Sequence, residues 1–406
     1  MPKGHLFDIA GCSIFFLDEY LKYILGFTNS TISSYILRFI SPTLNYEVEH
    51  IKKLPIILNK KELNNVNKIV SENISISKED WDFNEISMNF KIHPYLIFDK
   101  NNLNEIQRLW KNFTYNNFNK LKENEISLDS IFNDIYGLNL DSEVKDENIS
   151  VYITDKNTDI KSFVSYAVGC MFGRYSLDAE GLQFAGGTFD INNYTKFNPD
   201  DDNIIPVLDS EYFEDDIVGR FVEFVKACFG EENLEENLEF IADALAKNKK
   251  SSREKIRDYL LKNFFNDHKK TYKKCPIYWQ FNSGKENGFN CLVYMHRYEP
   301  SLVARIRTDY LHKTQKAIEE AISNCDNIIK NSSSNTEKAK ATKDKNKLQK
   351  QLKETQEYDE ALAHIANQNI KIDLDDGVKI NYAKFQNIEV SKEGKKSKKI
   401  NLLKKL

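Results

Sequence analysis

The chain has 406 residues, of which 41% are hydrophobic, 12% aromatic and 29% charged, and its formal net charge is −4. That length suffices for two or three buried cores, while no apolar run approaches the roughly 18 residues that span a bilayer. The opening Met1-Pro2-Lys3-Gly4-His5 lacks the basic and apolar regions of a secretory signal, so the expected location is cytoplasmic, with no membrane partner. The six cysteines (Cys12, Cys170, Cys228, Cys275, Cys291, Cys325) never approach Cys-x-x-Cys spacing, and the seven histidines form no His-x-x-x-His pair. Reduced, packed thiols and no metal site are therefore expected. The acidic balance argues against a stand-alone DNA-binding module. Its distribution matters more, because acids concentrate in 200–216 and 231–239 whereas 269–316 and 391–406 are basic.

In chain order, Phe7 to Phe16 reads as a strand and turn, followed by a helix carrying Leu21, Ile24, Leu25 and Phe27 and a second over 31–39, broken by Ser41-Pro42. Residues 45–56 read as a strand, a turn and an apolar anchor. From 59 to 149 the pattern is polar and helical, with Leu103, Ile106, Leu109, Trp110 and Phe113 at helical spacing. A small-residue helix over 163–173 runs into Arg174-Tyr175, and Ala185-Gly186-Gly187-Thr188 marks a tight turn. Three helices follow Pro206, the third opened by a Ser251/Glu254 capping box. The runs 277–281 and 289–295, separated by Ser283-Gly284 and Asn287-Gly288, predict a β-hairpin. Leu311, Ile318, Ile322, Cys325 and Ile329, then Leu348, Leu352, Leu362 and Ile365, predict two long helices joined at 331–335 into an antiparallel hairpin. Asp375-Asp376-Gly377 is a turn, and the lysine-rich end is expected to be mobile. The fold class expected is α+β, mostly helical.

Catalytic signals are absent from the sequence. A nucleotide-type cofactor site would show as a Gly-rich strand-to-helix turn, and a site for an extruded base as an [Asn/Asp/Ser]-Pro-Pro-[Tyr/Phe] loop. The one Asn-Pro, Asn198-Pro199, is followed by Asp200. The carboxylates of 211–216 and 231–239 read as helix-end and solvated-face residues rather than acid–base pairs. A binding signal remains. Arg174, Tyr175, Lys285, Arg297, Tyr298, Arg305, Arg307 and Lys313 mix cations with aromatics, which suits phosphate contact, guanine edges and base stacking. These eight are the candidate DNA-binding residues, with no catalytic, cofactor or metal residue expected.

Several segments together resemble one family. Phe7-Asp8-Ile9-Ala10-Gly11-Cys12-Ser13-Ile14-Phe15, Leu25-Gly26-Phe27-Thr28-Asn29-Ser30 and Ser41-Pro42-Thr43-Leu44-Asn45-Tyr46-Glu47-Val48 are similar to PglX, the adenine-specific methyltransferase family of type-1 BREX phage-defence loci. So are Gly173-Arg174-Tyr175-Ser176-Leu177-Asp178, Asp202-Asn203-Ile204-Ile205-Pro206, Asp216-Ile217-Val218-Gly219-Arg220-Phe221, Pro276-Ile277-Tyr278-Trp279, Tyr294-Met295-His296-Arg297-Tyr298, Arg307-Thr308-Asp309-Tyr310-Leu311 and Asp373-Leu374-Asp375-Asp376-Gly377-Val378. The resemblance implies host-DNA marking by adenine methylation, with a separate S-adenosylmethionine-dependent catalytic domain whose motifs these residues do not contain. The chain is then expected to be a C-terminal part of such a protein, truncated or split from its catalytic part, and inactive alone. The blocks expected are 1–58, the end of a target-recognition-like α/β domain; 59–160, a helical connector; 161–300, a mixed α+β DNA-engaging domain with a β-hairpin; 301–372, the C-terminal antiparallel helical hairpin; and 373–406, a turn and basic mobile tail. Expected partners are double-stranded DNA, a separate methyltransferase chain and other BREX proteins. The alternative is a protein-interaction scaffold in the BREX complex that does not touch DNA.

Overall fold

The computed structural model describes residues 13–41, 46–142, 144–390 and 398–406. It is mostly helical, with small antiparallel sheets, as the α+β reading expects. Among the described residues no helix is long and apolar enough to cross a membrane. The chain forms two compact units, one from Met1–Ser87 with Arg108–Thr154, the other from Met88–Gln107 with Asp155–Leu406.

The first unit contains α1 (Asp18–Thr28), α2 (Thr31–Ile40), the short α3 (Val48–Lys52), α4 (Leu63–Asp82) and most of α5 (Leu103–Tyr136). Ser30 caps α2 through its hydroxyl, which accepts from Ser33 N–H at 3.3 Å. Tyr23, Phe27, Val66, Val70 and Phe132 build its core, with Tyr23 and Phe27 meeting Phe132 edge-on at 5.4 and 5.6 Å. A Cβ on Gly26 would lie 2.9 Å from a Val70 methyl, so glycine is what lets α1 close on α4. Two expectations change here. Residues 13–17 form no strand (the expected strand's earlier part lies outside the described residues), and the strand expected in 45–56 is replaced by α3. The His50 Nδ1 reaches back to the Glu47 N–H at 3.1 Å, a local cap that favours a helical turn over an extended chain.

The second unit is built on α6 (Lys156–Met171), whose faces are buried nearly all round, and on β1 (Ile205–Pro206), α7 (Ile217–Phe229), α8 (Leu234–Leu245), α9 (Ser252–Tyr259) and α10 (Phe265–Thr271). A π-helical turn over Leu260–Phe264 joins the last two. The predicted capping box is present, Ser251 Oγ accepting from Glu254 N–H at 3.4 Å while the Glu254 carboxylate accepts from Ser251 N–H at 2.9 Å. Asp216 caps α7 and also takes both arms of Arg257 at 2.7 and 2.9 Å.

The predicted hairpin is β2 (Tyr278–Asn282) and β3 (Asn290–Tyr294), paired from Tyr278↔Tyr294 to Asn282↔Asn290, with β1 on the other side of β3. After α11 (Leu302–Arg305) and a π-helical stretch (Ile306–Leu311), α12 (His312–Asn331) and α13 (Asn335–Gln368) form the expected helical hairpin across the turn at 332–334. Then come α14 (Gly377–Ala383), β4 (Ile388–Val390) and β5 (Lys398–Ile400), the two strands being antiparallel. The chain end is not the free tail expected. Leu402 and Leu403 are buried, Asn282 N–H donates to Leu402 O at 3.0 Å, and Leu403 pairs with Phe281. Two adjacent leucines with an open edge of β2 beside them outweigh the solvation of the neighbouring lysines.

Candidate nucleic-acid interface

The eight predicted residues all belong to the second unit, but they do not form one surface. Arg174 turns inward, donating to the hydroxyls of Tyr175 and Tyr294, each at 3.1 Å. Tyr175 is buried and stacks on Tyr166 at 5.1 Å. Arg297 clamps backbone, donating to the carbonyls of Phe172 at 3.3 Å, Asp200 at 2.8 Å and Asp201 at 3.1 Å, with its guanidinium 4.1 Å from the Phe189 ring centroid. Tyr298 donates to Ile370 O at 3.0 Å, tying the region to the end of α13. Arg307 forms a two-armed pair with Asp359 of α13 at 2.8 and 3.1 Å, and His312 meets the same carboxylate at 2.9 Å. Arg305 pairs with Glu299 at 2.9 Å and is partly exposed. Lys285, at the hairpin tip, and Lys313, on α12, face solvent.

The acidic segments are likewise structural. The Tyr310 hydroxyl lies 2.7 Å from an Asp215 oxygen and 3.0 Å from an Asp202 oxygen, its single proton shared between the two carboxylates. Beside them, burial, with the charge of Asp202 and Asp215 added, pushes the Asp200 carboxyl up to about 7. Glu235 takes both arms of Arg253 at 2.6 and 2.8 Å. Among the described residues no three His, Cys, Asp or Glu side chains gather in a metal-holding arrangement.

A basic groove lies elsewhere in the same unit. It has a volume of about 690 Å³ and runs between the β2–β3 loop, α13 and the chain end. Lys285, Lys350, Lys353, Lys398, Lys399, Lys404 and Lys405 line it, against Glu286, Glu354 and Glu357. Seven lysines against three glutamates leave the lining a formal surplus of four positive charges. Glu354 is committed to the loop, accepting from Ser283 Oγ at 2.7 Å, Glu286 N–H at 2.8 Å and Gly288 N–H at 3.2 Å. Glu357 pairs with Lys398, and Glu286 lies 3.6 Å from Lys285. Gly288 is what allows the loop to seat, since a Cβ there would fall 2.7 Å from the Gln351 carbonyl oxygen of α13. Lys404 is half sunk between Gln280 and the Phe265 ring, and burial lowers its pKa first, the Lys269 charge second. Lys350 and Lys353 stand exposed on α13, continuing a segment, 338–353, that carries seven lysines and one acid. Such an array suits a line of phosphates, and backbone amides with long flexible cations position a duplex without reading its sequence.

No family model matches the chain. It is 43% identical over 400 residues to the adenine-specific methyltransferase PglX of Lacticaseibacillus casei (strain Zhang), covering 95% of this chain and 33% of that protein. It is 37% identical over 418 residues to the adenine-specific methyltransferase BrxX of Escherichia coli O9:H4 (strain HS), covering 95% of this chain and 34% of that protein. The resemblance to PglX is shown. The chain spans about a third of the length of these curated PglX and BrxX relatives, and 95% of its own residues align with each.

Of the predicted residues only Lys285 lies in the groove. The signal for the others was present in the sequence as the lysine run of α13 and the basic chain end, but the run could be placed beside the hairpin only once the register of α13 on the 283–288 loop was known.

Proposed function

We propose that this chain is the DNA-recognition and docking portion of a PglX-like, site-specific adenine-N6 methyltransferase that marks host DNA in BREX phage defence, acting in the cytoplasm. Methyl transfer from S-adenosylmethionine belongs, in this reading, to the remaining part of such a protein, which would be its partner along with double-stranded DNA and other BREX proteins. The similarity to two proteins named adenine-specific methyltransferases supports the family. The basic groove is the observation that supports DNA contact. Lys285, Lys350, Lys353, Lys399 and Lys405 are the phosphate-facing residues, with the exposed Lys313 and the half-buried Arg305 as outlying cations. Tyr175, Arg297, Tyr298 and Arg307 serve DNA contact indirectly, by holding the scaffold that presents these lysines. The test is fluorescence anisotropy of a labelled duplex with the full chain. Binding at about 50 mM salt that weakens by orders of magnitude at about 200 mM supports the reading. No binding at the lower salt, even with the rest of the methyltransferase supplied, opposes it.

A second reading, a protein-interaction scaffold within the BREX complex without direct DNA contact, is favoured by large apolar side chains exposed in the first unit, among them Phe15 (79%), Leu17 (70%) and Phe39 (74%). Co-purification with BREX components while the duplex is not retained would select it.

A further inference from the structure

At the end of the β2–β3 hairpin opposite its loop, several polar side chains surround Arg174 without satisfying it. The guanidinium is largely buried, and its two hydrogen bonds go to phenols, Tyr175 and Tyr294. No carboxylate pairs with it among the described residues, and its Nη2 makes no hydrogen bond there. A guanidinium carries five N–H donors, and a buried cation without a counter-charge is costly. His268 is 3% exposed and lies near enough to feel the Arg174 charge. Its Nε2 accepts from the Ile277 and Tyr278 N–H groups, both at 3.1 Å, so the ring proton sits on Nδ1, which is buried and has no partner. The buried Nδ1 of His296 also lacks a partner. The Tyr278 hydroxyl makes no hydrogen bond among the described residues and lies where a Cβ on Gly169 would approach it to 3.1 Å. These rings form one cluster. His268 packs on Tyr278 at 4.7 Å, Tyr278 on Tyr294 at 5.5 Å, and Tyr294 on His296 at 4.9 Å.

We propose that Arg174, His268 and Tyr278 form a binding site for a phosphate-like oxyanion, separate from the basic groove. The unused donors belong to one cluster of touching rings around a positive charge that no carboxylate offsets among the described residues, and an acceptor with several oxygens would satisfy them. Burial, with the Arg174 charge added, holds His268 down to about 3, so the imidazole acts as a neutral donor. The oxyanion is either a free anion or a phosphate of the DNA backbone. This inference does not depend on the groove, whose lysines can fail to bind DNA while the Arg174 cluster still takes phosphate.

The test is titration of the full chain with inorganic phosphate at constant ionic strength, followed by isothermal calorimetry and by the His268 side-chain nitrogen signals. Saturable binding of one phosphate per chain is expected, with a shift of the Nδ1 resonance. R174K should weaken it by about tenfold, because a point charge replaces a planar fork. Y278F removes a hydroxyl that holds nothing else in place, so it should fold normally and weaken binding by about fivefold. Displacement of the phosphate by an added duplex assigns the site to a backbone phosphate; indifference to the duplex assigns it to a free anion. An absent saturable response, an Nδ1 signal unmoved by phosphate, or a response unchanged in Y278F overturns the proposal, and the Y278F arm stands even where R174K does not fold.

Discussion

Replacing Asp216 with alanine tests how the second unit is held together. The Asp216 side chain is 2% exposed and that of Arg257 16%. One carboxylate oxygen receives the Val218 and Gly219 N–H groups at the start of α7, and the two oxygens together receive both arms of Arg257 from α9. Loss of the carboxylate leaves a buried guanidinium with the Leu208 carbonyl as its remaining partner, which costs about 3–5 kcal/mol. Loss of the cap adds about 1 kcal/mol. The two terms overlap because the same oxygens serve both, so a total of about 4–5 kcal/mol is expected. For a unit of this size each kcal/mol moves the midpoint by about 2–4 °C, giving a fall of roughly 8–20 °C. Differential scanning calorimetry of D216A, R257M and the double variant would read it. The double variant should be less destabilised than the sum of the singles by about 1–3 kcal/mol, because a lone buried charge is no longer left behind. A D216A loss under about 1 kcal/mol, or strict additivity, would refute this reasoning.

Other outcomes follow from burial. Burial lowers His93 and His268 to about 3 and His296 to about 4, whereas Asp200 is raised to about 7, all in the second unit. Between about pH 4 and 6.5 the unfolded chain binds the three histidine protons that the folded one refuses, while the folded chain alone holds the Asp200 proton. Stability should therefore rise with pH across that window, at up to roughly 3 kcal/mol per pH unit for the net two protons, and be lost as pH falls below 6.5. H93N should flatten the profile, and a midpoint unchanged between pH 7 and 5 would contradict the assignment. L402A should cost about 2–5 kcal/mol and speed hydrogen exchange at the Asn282 amide, which bonds to the Leu402 carbonyl; unaltered exchange would mean the chain end does not close the sheet edge.

The elements legible in the sequence were those whose pattern is local. The hairpin announced itself through aromatic runs around Ser283-Gly284 and Asn287-Gly288, the helical hairpin through the stripes from Leu311 to Ile365, and α9 through its Ser251/Glu254 cap. What could not be read was where a long cation ends up. Arg297 looks like a surface residue until the carbonyls of Phe172, Asp200 and Asp201 are folded around it from roughly a hundred residues away. The same holds for Arg307, whose partner Asp359 lies on the far arm of the helical hairpin. The docked chain end was missed for a related reason: Leu402-Leu403 is too short an apolar signal to outweigh the lysines around it until the open edge of β2 is in view.

The most direct measurement is the salt dependence of duplex binding before and after neutralising the groove with K350Q, K353Q and K405Q together. If these lysines sit on phosphates, the slope of log affinity against log salt should become shallower by about 2–3, with weakening that is uniform across duplex sequences. An unchanged slope with intact folding would place the DNA contact elsewhere, and no duplex binding by the wild-type chain at about 50 mM salt would contradict a DNA-docking role for the groove.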